Sequence, residues 1–267
     1  MPAKIEIIGG SGFYSLIEDP EFVTPETKYG LPSDNMSIGT IAGVEVAFIP
    51  RHGAKHTIPP HKVPYRANIS AFEELGINRI IATNALGSLK EDYRPGDFVL
   101  FDQFVNMTHG RQDTFFDEDI VAHVGMAEPY CPEMRGIASA QLKELKFRHH
   151  DTGSVVVING PRFSSRAESR FFSKQGFDVI NMTQYPEAAL AREKGMCYLG
   201  IGIVTDYDVG LEGNADIKPV NAEEVNIVFG KSINKARELI TSIVPAAARG
   251  RQCECKGSLD NAIVTKS

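Results

Sequence analysis

The sequence predicts an α/β fold in a single domain, and three observations lead there. Short apolar runs of strand type alternate with stretches of helical periodicity, the pattern of repeated βα units. Several of these runs end abruptly in turn-forming residues, Gly9-Gly10-Ser11-Gly12 being the first. The chain is 267 residues long with no internal shift in composition, which fits one unit of this class better than two.

Residues 4–8 alternate and then turn apolar, a strand that delivers the chain to that glycine-rich turn. Such a turn brings backbone N–H groups close to an anion. Ser15 stands where GxGxxG needs its third glycine, and the Gly-Lys pair of a P-loop is absent, so a plain tight turn and an anion loop both fit. Residues 37–49 form two alternating runs around Ala42-Gly43, a hairpin that leads to Arg51-His52-Gly53. Two side chains able to carry positive charge at a strand end suit an oxyanion, because Arg forks onto phosphate oxygens. The alternative is a solvated strand end. His56 and His61 follow without metal-ligand spacing, so no metal is assigned.

Residues 64–75 have helical periodicity, with Pro early and Gly76 after the end. A buried strand over 79–83 runs into Asn84-Ala85-Leu86-Gly87-Ser88, read as a loop at a strand's carboxyl end, where ligands sit in open α/β sheets. Residues 98–104 read as another strand. Residues 106–130 are irregular and carry His109, Arg111 and His123; loops of that length are usually functional or at an interface. A helix over 131–145, a strand over 154–158 and an Arg-rich helix over 166–174 follow. A brief strand at 178–180 leads to a turn at 182–185 and a helix from Pro186 to Lys194, which Gly195 ends. Residues 197–205 are an apolar strand, and 222–243 a long amphipathic helix. The organisation expected is one domain over 1–248 and a polar tail over 249–267, mobile or docked on a partner.

Asp206 and Asp208 close the last strand. Two residues apart, they share a face where the strand continues. Burial and mutual repulsion raise carboxyl pKa values, which suits a group that donates a proton near neutral pH. Two solvated acids in a loop are the plainer reading, and no ligands at useful spacing support a metal. A net charge of −6 gives no footprint for nucleic acid or an anionic membrane. The first ten residues lack a charged leader and apolar core, and no run reaches a membrane span, so a cytoplasmic location is expected. Cys131, Cys197, Cys253 and Cys255 lack zinc-ribbon spacing; inert thiols and disulfides both remain open.

Taken in order, Gly9-Gly10-Ser11-Gly12, Arg51-His52-Gly53, Asn84 to Leu89, Met126 to Cys131, Gly160 to Glu168 and Asn181-Met182-Thr183 up to Thr205-Asp206-Tyr207-Asp208 resemble the purine nucleoside phosphorylase and methylthioadenosine phosphorylase family. The resemblance spans about residues 4–245. It implies one domain on a mixed central sheet flanked by helices, a homotrimer or homohexamer, and phosphorolysis of a purine nucleoside with phosphate as co-substrate and no organic cofactor. Methylthioadenosine is the substrate it favours; a broader phosphorylase acting on adenosine or inosine, and a silent nucleoside-binding protein, are the alternatives.

The family pattern assigns Gly10, Ser11, Arg51, His52, Asn84, Ala85 and Thr183 to phosphate. It sets Phe163 against the purine with Ser164 beside it, and Met182 by the ribose. Asp206 would face N7 and the 6-amino group with Asp208 alongside. Relatives that take 6-oxopurines usually carry Asn where Asp206 stands, so Asp favours adenine. Ala222, Val225 and Asn226 would line the 5′ pocket, and the polar Asn226 leaves a 5′-hydroxyl possible. The loop over 210–218 departs from the Trp-bearing loop of eukaryotic members. Gln184 and Tyr185 also depart and are expected to flank Thr183 away from substrate. The region of His123 reaches a neighbouring subunit's site in relatives, and some thermophilic relatives with a terminal CxC have intrasubunit disulfides.

Overall fold

The computed structural model describes residues 4–210 and 217–265, without the side chains of Lys4, Ser11, Tyr14 and Ser15. Most of the loop at 210–218, read as a departure from relatives, thus lies outside the described residues, as does the Ser11 side chain. Strands β1 (Lys4–Gly9), β2 (Glu18–Val23), β3 (Met36–Ile41), β4 (Val44–Pro50), β5 (Ile77–Ser88), β6 (Phe98–Leu100), β7 (Gln103–Met107), β8 (His149–His150), β9 (Ser154–Ile158), β10 (Val179–Asn181) and β11 (Cys197–Asp206) join in one mixed sheet. Helices α1 (Tyr65–Glu74), α2 (Pro132–Glu144), α3 (Arg166–Lys174), α4 (Gln184–Glu193) and α5 (Ala222–Ala247) flank it.

The sheet forks at β5. One path runs β2-β3-β4-β1-β5-β10-β9-β7, while β11 pairs with β5 from Arg79 to Gly87 and carries β6 and β8 beyond it. Both branches meet at Gly87, which pairs with Ile180 of β10 and with Asp206 of β11. A Cβ at Gly87 would come within 2.9 Å of Ile180 Cγ2 and 3.1 Å of Asp206 Oδ1. The missing side chain therefore lets the two strands converge.

Two hydrophobic cores sandwich the sheet. One lies under α1 and α4 and includes Ile8, Ile80, Phe72, Leu190 and Tyr198. The other lies under α2 and α5 and includes Ile7, Phe48, Leu199, Leu142 and Ile240. The sequence explains why α5 settles there: Ala236, Leu239, Ile240, Ile243, Val244 and Ala247 recur at helical spacing and are all buried. Each fully buried Leu or Ile contributes about 1.5–3 kcal/mol of transfer free energy.

Several elements differ from the sequence-based expectations. Residues 84–88 are strand, because β5 runs on through them to gain β10 and β11 as neighbours. The single strand expected over 98–104 is two: β6 pairs with β11 and β7 with β9, on different branches of the fork. β2 is highly exposed and charged, which hid it in the sequence. The tail, expected to be mobile or docked on a partner, lies on its own chain. The Glu133 carboxylate accepts from the Gln252 and Cys253 amides, and Ile263 bridges to Ala122.

The docked tail also brings the cysteines together. Cys131, Cys197, Cys253 and Cys255 are free thiols whose sulfurs lie within 4.8 Å of one another, with Cys197 and Cys253 3.3 Å apart.

Candidate active site

A cleft of about 940 Å³ opens at the fork of the sheet, where β1, β4, β9, β10 and β11 all end and β5 passes through. Carboxyl ends of strands release loops in one place, which is why side chains distant in sequence converge there. Gly10, Arg51, His52, Asn84, Ala85, Phe163, Met182, Thr183, Asp206, Asp208, Ala222 and Asn226, all singled out from the sequence, line this cleft.

At one end stand donors suited to an oxyanion. Arg51 is buried at the end of β4, with its guanidinium held by Glu187 and by the Thr83 carbonyl. Burial works against its charge, but the Glu187 carboxylate outweighs that and raises the pKa, so Arg51 stays cationic. His52 behaves differently from the paired cations expected. Burial and the neighbouring Arg51 charge lower its pKa to about 4, so it is neutral at pH 7. Its Nδ1 lies 2.8 Å from the Ile58 carbonyl, which only accepts; Nδ1 therefore carries the proton and Nε2 is left as an acceptor. Thr183 donates to Asn84 Oδ1 at 2.8 Å, tying the start of α4 to β5. A Cβ at Gly10 would meet nothing within 4 Å, so the backbone there is open to the cleft.

At the other end stand the two carboxylates. β11 stops at Asp206, and Asp208 adopts φ 51°, so they do not share a strand face as the spacing implied; a turn gathers them. Asp206 Oδ1 accepts from the Asp208 amide at 2.8 Å and Oδ2 from the Thr205 hydroxyl at 2.7 Å. Burial raises the Asp206 pKa to about 6, those two hydrogen bonds oppose the rise, and the Asp208 charge adds a smaller push upward. Repulsion is thus not the main cause. Burial also raises the Asp208 pKa, against the pull of the Ser169 and Ser164 hydroxyls beside it. Ser164, expected beside the purine, is not among the cleft-lining residues; its hydroxyl is one of the groups that hold the Asp208 pKa down. Phe163 stays 39% exposed at the cleft.

The first turns of α5 form a third wall, with Ala222, Val225, Asn226 and Phe229. Residues 56–60 form part of the rim, which the sequence did not single out. His123 does not line the cleft; it is exposed, and its amide donates to the Ala262 carbonyl of the tail. Gln184 and Tyr185 stand behind Thr183 as expected, bonding Tyr198 and Asp113 respectively.

Two supporting residues were given no role from the sequence: Glu187 was not singled out, and Arg111 was noted only as part of an irregular loop. Glu187 pairs with Arg51; an acid inside the apolar run Pro186 to Ala191 was the available signal. Arg111, from the irregular loop, donates to the backbone carbonyls of Met182, Asn159 and Tyr185, pinning the walls of the cleft. Among the described residues, the side chains placed to hold a metal ion are the four clustered cysteines, which are not part of the cleft lining.

The arrangement pairs an oxyanion site with a carboxylic acid of raised pKa inside one cavity large enough for a small molecule and an anion together. Residues 4–245 match the family model described as the phosphorylase superfamily. The chain is 51% identical over 267 residues to S-methyl-5′-thioadenosine phosphorylase of Thermofilum pendens, covering 98% of each chain. It is 53% identical over 261 residues to the protein of the same name from Pyrococcus abyssi, covering 98% of this chain and 99% of that one. Among solved structures, methylthioadenosine phosphorylase from Schistosoma mansoni in complex with adenine aligns with a TM-score of 0.92 at 36% identity, covering 98% of this chain and 99% of that one. A methylthioadenosine phosphorylase from an antarctic soil metagenomic library aligns with a TM-score of 0.92 at 39% identity, covering 99% and 93%.

Proposed function

The chain belongs to the phosphorylase superfamily, and we propose that it acts as an S-methyl-5′-thioadenosine phosphorylase, converting methylthioadenosine and phosphate to adenine and 5-methylthioribose 1-phosphate. The observation that carries this reading is the placing of Asp206, with its pKa raised to about 6, in the same cleft as Arg51, His52, Asn84 and Thr183.

A phosphate oxygen forms the new bond to C1′ of the ribosyl ring while the bond from C1′ to N9 breaks, its electron pair leaving with the purine. Positive charge builds on the sugar, as in glycoside cleavage, and the adjacent phosphate dianion stabilises it. Negative charge builds on the departing base, and Asp206 donates a proton to N7. A bound purine excludes water from the carboxyl group, which favours the protonated form further. Its second oxygen, with Asp208 nearby, accepts from the 6-amino group, whereas a 6-oxopurine would present a second acceptor. Arg51 gives the phosphate charge-assisted N–H donors, and Thr183, Asn84 and the backbone at Gly10, Ser11 and Ala85 complete its site. Neutral His52 takes a phosphate O–H at Nε2. Phe163 covers the base and Met182 the sugar. Phosphate is the co-substrate, with no metal or organic cofactor in the reaction.

Residues 1–248 are assigned as the catalytic domain and 249–267 as a polar C-terminal tail, whose described part lies on its own chain. The protein works in the cytoplasm as a homotrimer or homohexamer, in which the region of His123 completes a neighbouring subunit's site. No helix among the described residues is long and apolar enough to cross a membrane.

A second reading, turnover of adenosine, is favoured by one observation: Asn226, a polar residue, lines the cleft beside Ala222 and Val225. Steady-state kinetics on methylthioadenosine, adenosine and inosine, with and without phosphate, tests both. The leading reading expects phosphate-dependent release of adenine with methylthioadenosine preferred; equal use of adenosine favours the second, and preference for inosine contradicts both.

A further inference from the structure

Arg51 and Glu187 are 136 residues apart in sequence and meet face to face behind the cleft. Arg51 Nε donates to Glu187 Oε2 at 2.7 Å, Nη2 to Oε1 at 2.8 Å, and Nη1 to the Thr83 carbonyl at 3.0 Å. A guanidinium has five N–H donors. The carboxylate occupies the side-on edge formed by Nε and Nη2, and the carbonyl takes one donor of Nη1. Two donors remain, one on each terminal nitrogen, and Arg51 lines the cleft, where they are available to an oxyanion.

Glu187 is itself held. Its Oε1 also accepts from the Tyr198 hydroxyl at 2.6 Å, and Gln184 Nε2 donates to that hydroxyl at 3.1 Å. Arg51 is 3% exposed, Glu187 and Tyr198 1%, and Gln184 0%. A long arginine side chain has many rotamers of similar energy; in this dry setting the paired carboxylate selects one. Because Glu187 sits on α4 and Tyr198 on β11, the orientation of Arg51 is set by the packing of α4 on the sheet and not by its own loop.

We propose that Glu187 is a positioning residue for the reaction: supported by Tyr198, it fixes Arg51 so that its two remaining N–H donors meet the oxyanion co-substrate. This rests on the phosphorolysis reading for the identity of that anion. The pairing also makes the Arg51 and Glu187 unit neutral in sum, so the anion is held by aimed donors more than by net charge. An orienting and a charge-tempering role predict opposite signs. A Gln in place of Glu187 keeps one acceptor but turns an N–H toward the arginine, which breaks the two-point grip and removes the negative charge together.

The test is initial-rate kinetics on intact Glu187→Gln and Tyr198→Phe proteins, varying phosphate and methylthioadenosine separately, with phosphate binding measured by calorimetry and folding by circular dichroism. Glu187→Gln is expected to raise KM and Kd for phosphate by roughly tenfold to a hundredfold, the scale of a small misplacement of a binding group, with nucleoside KM within about twofold. Tyr198→Phe removes one hydroxyl and leaves Arg51 untouched; it is expected to raise phosphate KM in the same direction by about threefold, and it carries the test alone where Glu187→Gln does not fold. Unchanged or tighter phosphate binding, or an equal rise in both KM values, overturns the inference while phosphorolysis stands. Wild-type protein that releases adenine without needing phosphate overturns both.

Discussion

Replacing Asp206 with Asn separates the stability of this protein from its chemistry. The folded-state pKa is about 6 against an ordinary value of 3.8. Because the folded value is the higher one, the contribution of Asp206 to stability is fully present below pH 3.8 and is lost as pH rises through about 6. A difference of about two pKa units corresponds to about 3 kcal/mol of destabilisation at pH 8, against roughly 1.6 kcal/mol at pH 5. Asn carries no charge and escapes this penalty. It loses part of the hydrogen bonding from the Thr205 hydroxyl and the Asp208 amide, about 1 kcal/mol at any pH. The variant is therefore expected to be about 2 kcal/mol more stable than wild type at pH 8 and within about 1 kcal/mol of it at pH 5. Turnover of methylthioadenosine should fall about a hundredfold or more, the usual scale for losing a general acid. Denaturant unfolding at both pH values and one protein concentration, with initial rates on the same samples, reads both effects. A stability change equal at pH 5 and pH 8 would rule out a raised Asp206 pKa, and turnover left intact would rule out Asp206 as the acid.

Two further outcomes follow from the buried groups outside the cleft. Glu6 is fully buried on β1, neither carboxylate oxygen has a hydrogen-bond partner, and burial raises its pKa well above the ordinary 4.5; Glu6→Gln should stabilise the protein by an amount that grows as pH rises above 4.5, and melting temperatures at pH 5 and pH 9 that shift equally would contradict this. Joining Cys197 to Cys253 by oxidation would close a loop of 56 residues, which stabilises by about 4 kcal/mol in the chain-entropy model; thiol titration together with melting curves in the presence and absence of reductant checks it, and an unchanged melting temperature on reduction of an oxidised sample would contradict it.

Much of the cleft was legible because its residues stand at the ends of strands, where a short apolar run and its turn announce themselves locally. Arg51 after β4 and Asp206 at the end of β11 are of this kind. What escaped depends on contacts between distant segments. The run Asn84 to Ser88 reads as a loop until β10 and β11 are there to pair with it, and no local pattern tells where a sheet forks. The charge states of His52 and Asp206 are set mainly by burial, which sequence spacing does not encode. Glu187 is an acid in an apolar helix, a visible anomaly, but its partner lies 136 residues away. The exposed strand β2 lacks the apolar alternation that marks a half-buried strand.

In the proposed reaction one cleft holds phosphate at the Arg51 end and protonates a leaving adenine at the Asp206 end. Release of free base from methylthioadenosine and inosine, followed at increasing phosphate concentration, tests it most directly. Adenine and a 5-substituted ribose 1-phosphate are expected in equal amounts from methylthioadenosine, at a rate that saturates with phosphate, with little hypoxanthine from inosine. Base release independent of phosphate, or hypoxanthine released as readily as adenine, would contradict it.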